Sequence, residues 1–184
     1  TATDESGDAQ VFTVELAKLA AIKGVQFRWS TTVEALAAAG ERIDGVHVVD
    51  AHGVKEVLAA DAIVVALGSF SPFLLQPLRV PCLVYPAKGY SMTIDVGDHR
   101  GAPVVSLTDL AWKIVLTRLG NRLRVAGTAE LAGYGLALND VRCQALKRRT
   151  FEFFPDAGDP ASATFWTGLR PATPSKVKLI GPTR

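Results

Sequence analysis

Disulfides, long apolar runs and a charge of one sign are all missing from this chain of 184 residues. Cysteine occurs twice, at Cys82 and Cys143, far apart and without Cys-x-x-Cys spacing, so a disulfide-stapled scaffold is excluded and free thiols in a reducing compartment are expected. His47, His52 and His99 show no metal-ligand spacing and read as hairpin and loop residues. Lys plus Arg is 20 and Asp plus Glu is 18, a net charge of +2 with no dense basic stripe, which gives nucleic-acid binding no support. The longest apolar stretches, such as Ala62 to Leu67, fall far short of the ~20 residues of a membrane helix. The catalytic signatures are missing too. There is no Walker loop, no His-Glu-x-x-His and no Gly-x-Gly-x-x-Gly, the nearest approach being Gly133-Tyr134-Gly135. Gly68-Ser69-Phe70-Ser71-Pro72 lacks the second glycine of a nucleophile elbow.

What is present is an ordinary globular composition, 48% hydrophobic and 21% charged. Asp8 to Lys23 reads as a helix, with Phe12, Leu16, Leu19 and Ile22 near one stripe, Asp8 as cap and Gly24 as its left-handed end. Val25 to Arg28 alternates like a short strand, while Thr31 to Ala38 suits helix and strand equally. Ile43 to Asp50 and Val54 to Ala59 flank Ala51-His52-Gly53 as a hairpin. Ala62 to Leu67 is unbroken in its apolarity, as expected of a parallel strand buried on both faces. Ser69 to Pro81 carries three prolines and reads as a connection.

Beyond it come expected strands at Gly89 to Val96, Ala102 to Leu107, Trp112 to Arg118 and Arg122 to Gly127, the last two joined by Gly120-Asn121. A helix opens at Asn139 or Asp140 and stops before Pro155, and Thr164 to Leu169 is a further strand. The fold class expected is α+β: an α/β portion over residues 1–72, then a mainly antiparallel sheet with one helix over residues 73–184. The opening Thr1-Ala2-Thr3 and the closing Gly181-Pro182-Thr183-Arg184 do not read as natural termini, so a piece of a longer protein is expected.

Three segments could carry chemistry. Gly68, without a Cβ, would let a ligand approach the end of a buried strand, although a core strand followed by a turn is the plainer reading. Pro86-Ala87-Lys88-Gly89-Tyr90-Ser91 places a cation and an aromatic ring at a strand entry, which an exposed turn also explains. In Gly168-Leu169-Arg170-Pro171, rigid neighbours hold an arginine suited to gripping a carboxylate with two parallel hydrogen bonds; the plainer reading is an arginine capping carbonyls.

Taken together with Asp4-Glu5-Ser6-Gly7-Asp8, Thr32-Val33-Glu34-Ala35-Leu36, Ala60 to Ser71, Tyr85 to Ser91, Gly168 to Pro174 and Ile180-Gly181, these segments resemble the D-amino acid oxidase superfamily of flavoproteins. Within it they are most similar to the D-amino acid dehydrogenases of Gram-negative bacteria. The resemblance implies FAD as cofactor and oxidative deamination of D-amino acids to 2-oxo acids and ammonia. It implies that Val33 faces the FAD adenine and that Ala66, Leu67 and Gly68 pack along the cofactor. It further implies that Lys88 and Tyr90 lie near the flavin ring and substrate, and that Arg170 holds the substrate carboxylate.

A respiratory electron acceptor, a cytoplasmic location or a peripheral one on the cytoplasmic face of the inner membrane, and self-association of an isolated piece complete the expectation. Two departures are visible. The family's pyrophosphate-cradling glycine motif and its glycine-containing C-terminal segment, expected before Thr1 and after Arg184, do not occur in this chain, and Lys176 and Lys178 stand where relatives carry less charge. A glycine- or sarcosine-oxidising relative and a non-catalytic isolated domain remain as alternatives.

Overall fold

A computed structural model describes residues 7–40 and 42–182. Asp4, Glu5 and Ser6, which carry part of the resemblance, lie outside the described residues. The chain divides into two compact units. Among the described residues, the larger takes in 85–171 and 7–13, and the smaller takes those of 14–84 and 172–182.

The larger unit is a five-stranded sheet with a helix on one face. Its strands are β4 (Tyr85–Asp95), β5 (Leu107–Asp109), β6 (Ile114–Leu119), β7 (Arg122–Glu130) and β8 (Thr164–Ala172), in the order β5-β6-β7-β4-β8. β6 and β7 form the hairpin expected at Gly120-Asn121, with Leu119 opposite Arg122 and Gly120 at φ +62°. β7 pairs antiparallel with β4 in turn, placing Val125 opposite Met92 and Leu123 opposite Ile94.

Alternation then aims Met92, Ile94, Leu116, Leu123 and Val125 at one side, where α3 (Asp140–Phe153) lays Cys143 and Leu146 on them as a fully buried core. The cap of α3 is Asn139, whose Oδ1 accepts the N–H groups of Val141 at 3.1 Å and Arg142 at 3.3 Å. The helix ends just before Pro155, which has no N–H to continue it. Arg149 ties α3 to the β5–β6 turn: its Nε donates to Asp109 Oδ2 at 2.9 Å, and its guanidinium lies 3.9 Å from the Phe153 ring centre.

In the smaller unit β1 (Thr32–Ala39), β2 (Arg42–Val49) and β3 (Lys55–Ala59) form an antiparallel meander, which resolves the ambiguous Thr31–Ala38 segment as strand. The β2–β3 hairpin is closed by Asp50, whose Oδ1 accepts from His52 N–H at 2.8 Å and Val54 N–H at 2.9 Å, and by Gly53 at φ +81°. α2 (Ser71–Leu75) interrupts the proline-rich connection and packs against β1. α1 (Ala9–Ile22) has the cap expected of it, Asp8 Oδ1 accepting from Gln10 N–H at 2.9 Å, and ends at Gly24.

Three expected strands do not form. Ala62–Leu67 is neither a strand nor buried, and Val64 is 88% exposed. Apolarity fits a run for a sheet centre, but only neighbouring strands can satisfy its N–H and C=O groups, and no described strand lies beside it. Val25–Arg28 is irregular, with Phe27 stacked on Trp29 at 5.1 Å. Ala102–Leu107 reaches strand geometry only at Leu107: Pro103 has no N–H to give to a ladder, and Gly101 just before the run is bonded to the Asp156 carbonyl at 2.9 Å. The strand expected from Trp112 starts at Ile114, since Asp109 Oδ1 draws the N–H groups of Ala111 and Trp112 into a turn.

Because Asn139 satisfies two orphan donors of α3, Asn139→Ala is expected to destabilise the protein by about 1 kcal/mol in urea unfolding, while Asn139→Asp stays close to wild type. An unchanged midpoint for the alanine variant would rule out the cap as a contributor.

Candidate functional site

β4 divides its side chains between two environments. Pro86, Lys88, Tyr90, Met92 and Ile94 alternate onto the helix-covered face, and all are buried. Gly89, Ser91 and Thr93 belong to the opposite face. Lys88 is only 5% exposed, so its ammonium needs partners. It donates to Glu130 Oε2 at 2.9 Å and to the Ala137 carbonyl at 3.0 Å. The Tyr90 hydroxyl donates to the same Glu130 oxygen, and Arg142 Nε approaches it at 3.9 Å.

One carboxylate at the end of β7 therefore gathers groups from β4 and α3. The Tyr90 hydroxyl and then the Lys88 ammonium hold the Glu130 carboxyl below the usual range, and Glu130 in turn raises Lys88 above the usual lysine range. Burial raises the Tyr90 phenol. Near neutral pH the cluster is thus ammonium, carboxylate and neutral phenol, and none of these is poised as a general base.

β7 is irregular at this point. The pairing shifts between Gly89 and Tyr90, leaving Thr128 as an extra residue at φ +55°. Arg142 braces it, donating to Thr128 Oγ1 and to the Ala129 carbonyl at 3.3 Å. The segment 131–139 that follows is pinned at three points: Lys88 to Ala137 O, Thr167 Oγ1 to Leu136 O at 2.8 Å, and Gly133 N–H to Tyr85 Oη at 3.2 Å.

Arg170 is on the other side of the sheet. On β8, Phe165 packs against the core and Thr167 bonds to Leu136, so Trp166, Gly168 and Arg170 belong to the face without the helix. β8 runs beside β4 with Thr164 Oγ1 donating to the Thr93 carbonyl at 3.3 Å. A Cβ built on Gly89 would stand 3.9 Å from the Gly168 carbonyl. The Trp166 ring crosses Gly168: a Cβ there would stand 2.1 Å from Trp166 Cη2, so a side chain would push the exposed indole aside. Arg124, also on this face, lies 5.8 Å from the Trp166 ring centre. Arg170 is exposed, and among the described residues nothing accepts a hydrogen bond from it or forms an ion pair with it. The site residues named from sequence therefore divide, with Lys88 and Tyr90 beneath the sheet and Arg170 above it.

The residues matched to the cofactor all fall in the smaller unit. Val33 is on β1, opposite Val48. Ala66 and Leu67 are exposed and lead into Gly68, at φ +55°, which opens the turn before α2. Sequence reasoning missed Glu130. The available signal was an acidic residue three positions past the expected strand Arg122–Gly127, too common a pattern to single out. Among the described residues no group of three or more His, Cys, Asp or Glu could hold a metal ion.

The chain belongs to the FAD dependent oxidoreductase family DAO, whose family model matches residues 2–184. It is 56% identical over 184 residues to a D-amino acid dehydrogenase of Dechloromonas aromatica (strain RCB), a match that covers 100% of this chain and 44% of that protein. A D-amino acid dehydrogenase of Granulibacter bethesdensis (strain ATCC BAA-1260 / CGDNIH1) is 47% identical over 181 residues, covering 98% and 42%. The chain thus spans less than half the length of these curated relatives. Among solved structures, glycine oxidase from Geobacillus kaustophilus superposes with a TM-score of 0.72 at 22% identity, covering 92% of this chain and 44% of that one. L-proline dehydrogenase from P. horikoshii gives 0.76 at 16% identity, covering 94% and 46%. At such identities these structures establish a shared fold and nothing further.

The direction of the Glu130 shift fixes a pH dependence. A carboxyl whose folded pKa is depressed contributes stability that is fully present above its unfolded pKa and is lost as pH falls through the folded value. Melting temperature should therefore drop below the ordinary glutamate range, and Glu130→Gln should flatten part of that decline. An equally steep acid limb in the variant would show that Glu130 contributes nothing to it.

Proposed function

We propose that this chain is part of an FAD-dependent D-amino acid dehydrogenase and that Arg170 anchors the substrate carboxylate. Residues 1–72 then belong to the FAD domain and residues 73–184 to the substrate domain. The observation that carries the reading is the exposed Arg170 guanidinium, without a hydrogen-bond or ion-pair partner among the described residues, on the sheet face that the helix leaves open. The names of the relatives that match at 47–56% identity support the substrate class.

The cofactor is assigned to Val33 and residues 66–68 by the resemblance, and two features support this: Ala66 and Leu67 are exposed, and Gly68 carries no Cβ to keep a ligand from the backbone. Bound FAD would supply the acceptor for two electrons as hydride from the substrate Cα. Loss of hydride from the neutral amine leaves an iminium, which gives a proton to solvent, and water then hydrolyses the imino acid to a 2-oxo acid and ammonia. The role of Arg170 is positional: two N–H groups hold the carboxylate that every amino acid presents, which fixes the Cα whatever the side chain. Starting from the neutral amine, this route needs no general base, in keeping with the charge states of Lys88, Glu130 and Tyr90.

A respiratory acceptor and a peripheral place on the cytoplasmic face of the inner membrane belong to the same proposal. No helix among the described residues is long and apolar enough to cross a membrane. Self-association of the isolated chain is proposed from the exposed Phe12, Leu16, Leu19 and Ile22 of α1. Turnover of D-alanine with a quinone-like dye, set against oxygen, distinguishes a dehydrogenase from a glycine- or sarcosine-oxidase type of enzyme.

Losing one partner of a buried charge pair costs roughly 2–5 kcal/mol. In the protein at the full length of its relatives, Arg170→Ala should therefore lower kcat/KM for D-amino acids about 30- to 5000-fold. The loss should be alike across side chains, with partial recovery in Arg170→Lys. Wild-type kcat/KM, or failure through unfolding alone, would refute the anchor.

The 184-residue chain on its own should bind FAD weakly or not at all, because it contains no glycine-rich pyrophosphate motif. A stoichiometric yellow complex after gel filtration would contradict this.

A further inference from the structure

We infer that Glu130 is a positioning residue for the carboxylate site: it acts through Lys88 and Tyr90 to hold Gly89, and with it the Arg170 strand, in one geometry. The inference rests on the reading of Arg170 as the carboxylate anchor.

It begins from a misfit between the cluster and its surroundings. Along the helix-covered face of β4, Met92 and Ile94 are wholly buried among apolar neighbours. Two residues earlier that face switches to a phenol, then to a buried ammonium, both satisfied by a single carboxylate. Well-packed apolar residues of similar volume are often as stable as a buried ion pair or more so, whereas an ion pair with added hydrogen bonds tolerates few alternative geometries. What the cluster provides is therefore geometric definition, at the place where the sheet is least regular. The ladder slips between Gly89 and Tyr90, and Thr128 sits at φ +55°. Without a lock, this stretch of β4 could shift against β7.

Lys88 and Tyr90 flank Gly89 in the chain, so fixing both from below fixes Gly89 above. Gly89 is the residue of β4 that lies beside Gly168, and Arg170 follows Gly168 by two residues on the same face. Arg142 braces Thr128 and approaches Glu130, and the Lys88 bond to Ala137 extends the lock to the 131–139 segment. Lys88 and Tyr90 thus serve the site from beneath the sheet and do not touch substrate.

The test uses FAD-loaded protein at the full length of the relatives, with propionate as a bare carboxylate probe in calorimetry and D-alanine with dye in turnover. Glu130→Gln keeps the shape and removes the charge. Its propionate Kd and its KM for D-alanine should each rise about tenfold, with kcat changed far less, since misplacing an anchor by a fraction of an ångström is costly. The double variant Glu130→Gln/Lys88→Met should recover part of this, because no ammonium is left unpaired.

A purely structural role would lower melting temperature and the active fraction while leaving Kd and KM in place, and that result overturns the inference. If Glu130→Gln does not fold, Tyr90→Phe removes one hydroxyl only and should raise both constants about threefold; wild-type constants there also overturn it. Should wild type bind propionate but leave D-alanine unreacted, the dehydrogenase reading falls and the Kd series decides the positioning role. Should wild type bind no propionate, both fall.

Discussion

Successive side chains on a strand point to opposite faces, so whatever fixes one face of β4 fixes the other. Lys88 and Tyr90 face the helix, and Gly89 between them faces the open side. Core packing continues this constraint along the strand: Met92 and Ile94 are held by Leu123, Val125 and the α3 residues Cys143 and Leu146. A rigid underside thus carries an upper surface on which Trp166 lies across Gly168 and Arg170 has no hydrogen-bond or ion-pair partner among the described residues. Gly89 and Gly168 leave that surface without side chains where β4 pairs with β8, and the Arg170 guanidinium toward the end of β8 is exposed on it.

Electrostatics sort the cations of this unit into two uses. Lys88 and Arg149 are committed, the first to Glu130 and the second to Asp109 and Glu152. In both clusters the carboxyl is held below its usual range by hydrogen bonds, so each pair stays ionised further into acid than an unpaired carboxyl would. These pairs knit β4 to β7 and the β5–β6 turn to α3. Arg170 has no such commitment among the described residues, and chemistry with an external anion can follow from that difference.

Local rules read much of this fold from sequence, because they concern neighbours in the chain. Asp8 and Asn139 as caps, Gly24 as a helix end, Asp50 with Gly53 and Gly120-Asn121 as turns all depend on groups within a few residues. The errors fall where the deciding partner is remote. Ala62–Leu67 has the composition of a central strand, yet a strand is defined by its neighbours. Ala102–Leu107 follows Gly101, which is tied to the Asp156 carbonyl more than fifty residues away, and only Leu107 finds a partner strand, β6. Glu130 escaped notice for the same reason: its role exists only once β4 and α3 converge on it. The matched residues Lys88, Tyr90 and Arg170 were legible as types, but the face each occupies depends on strand register, which turns over with a shift of one residue.

The most direct measurement is a crystal structure of the FAD-loaded protein, at the full length of its relatives, soaked with pyruvate, the 2-oxo acid product of D-alanine. The account predicts the pyruvate carboxylate paired in a two-pronged hydrogen bond with Arg170 on the open face, with Lys88 still bonded to Glu130 on the other. A carboxylate bound to Lys88 with Glu130 displaced, or one seated away from Arg170, would contradict it.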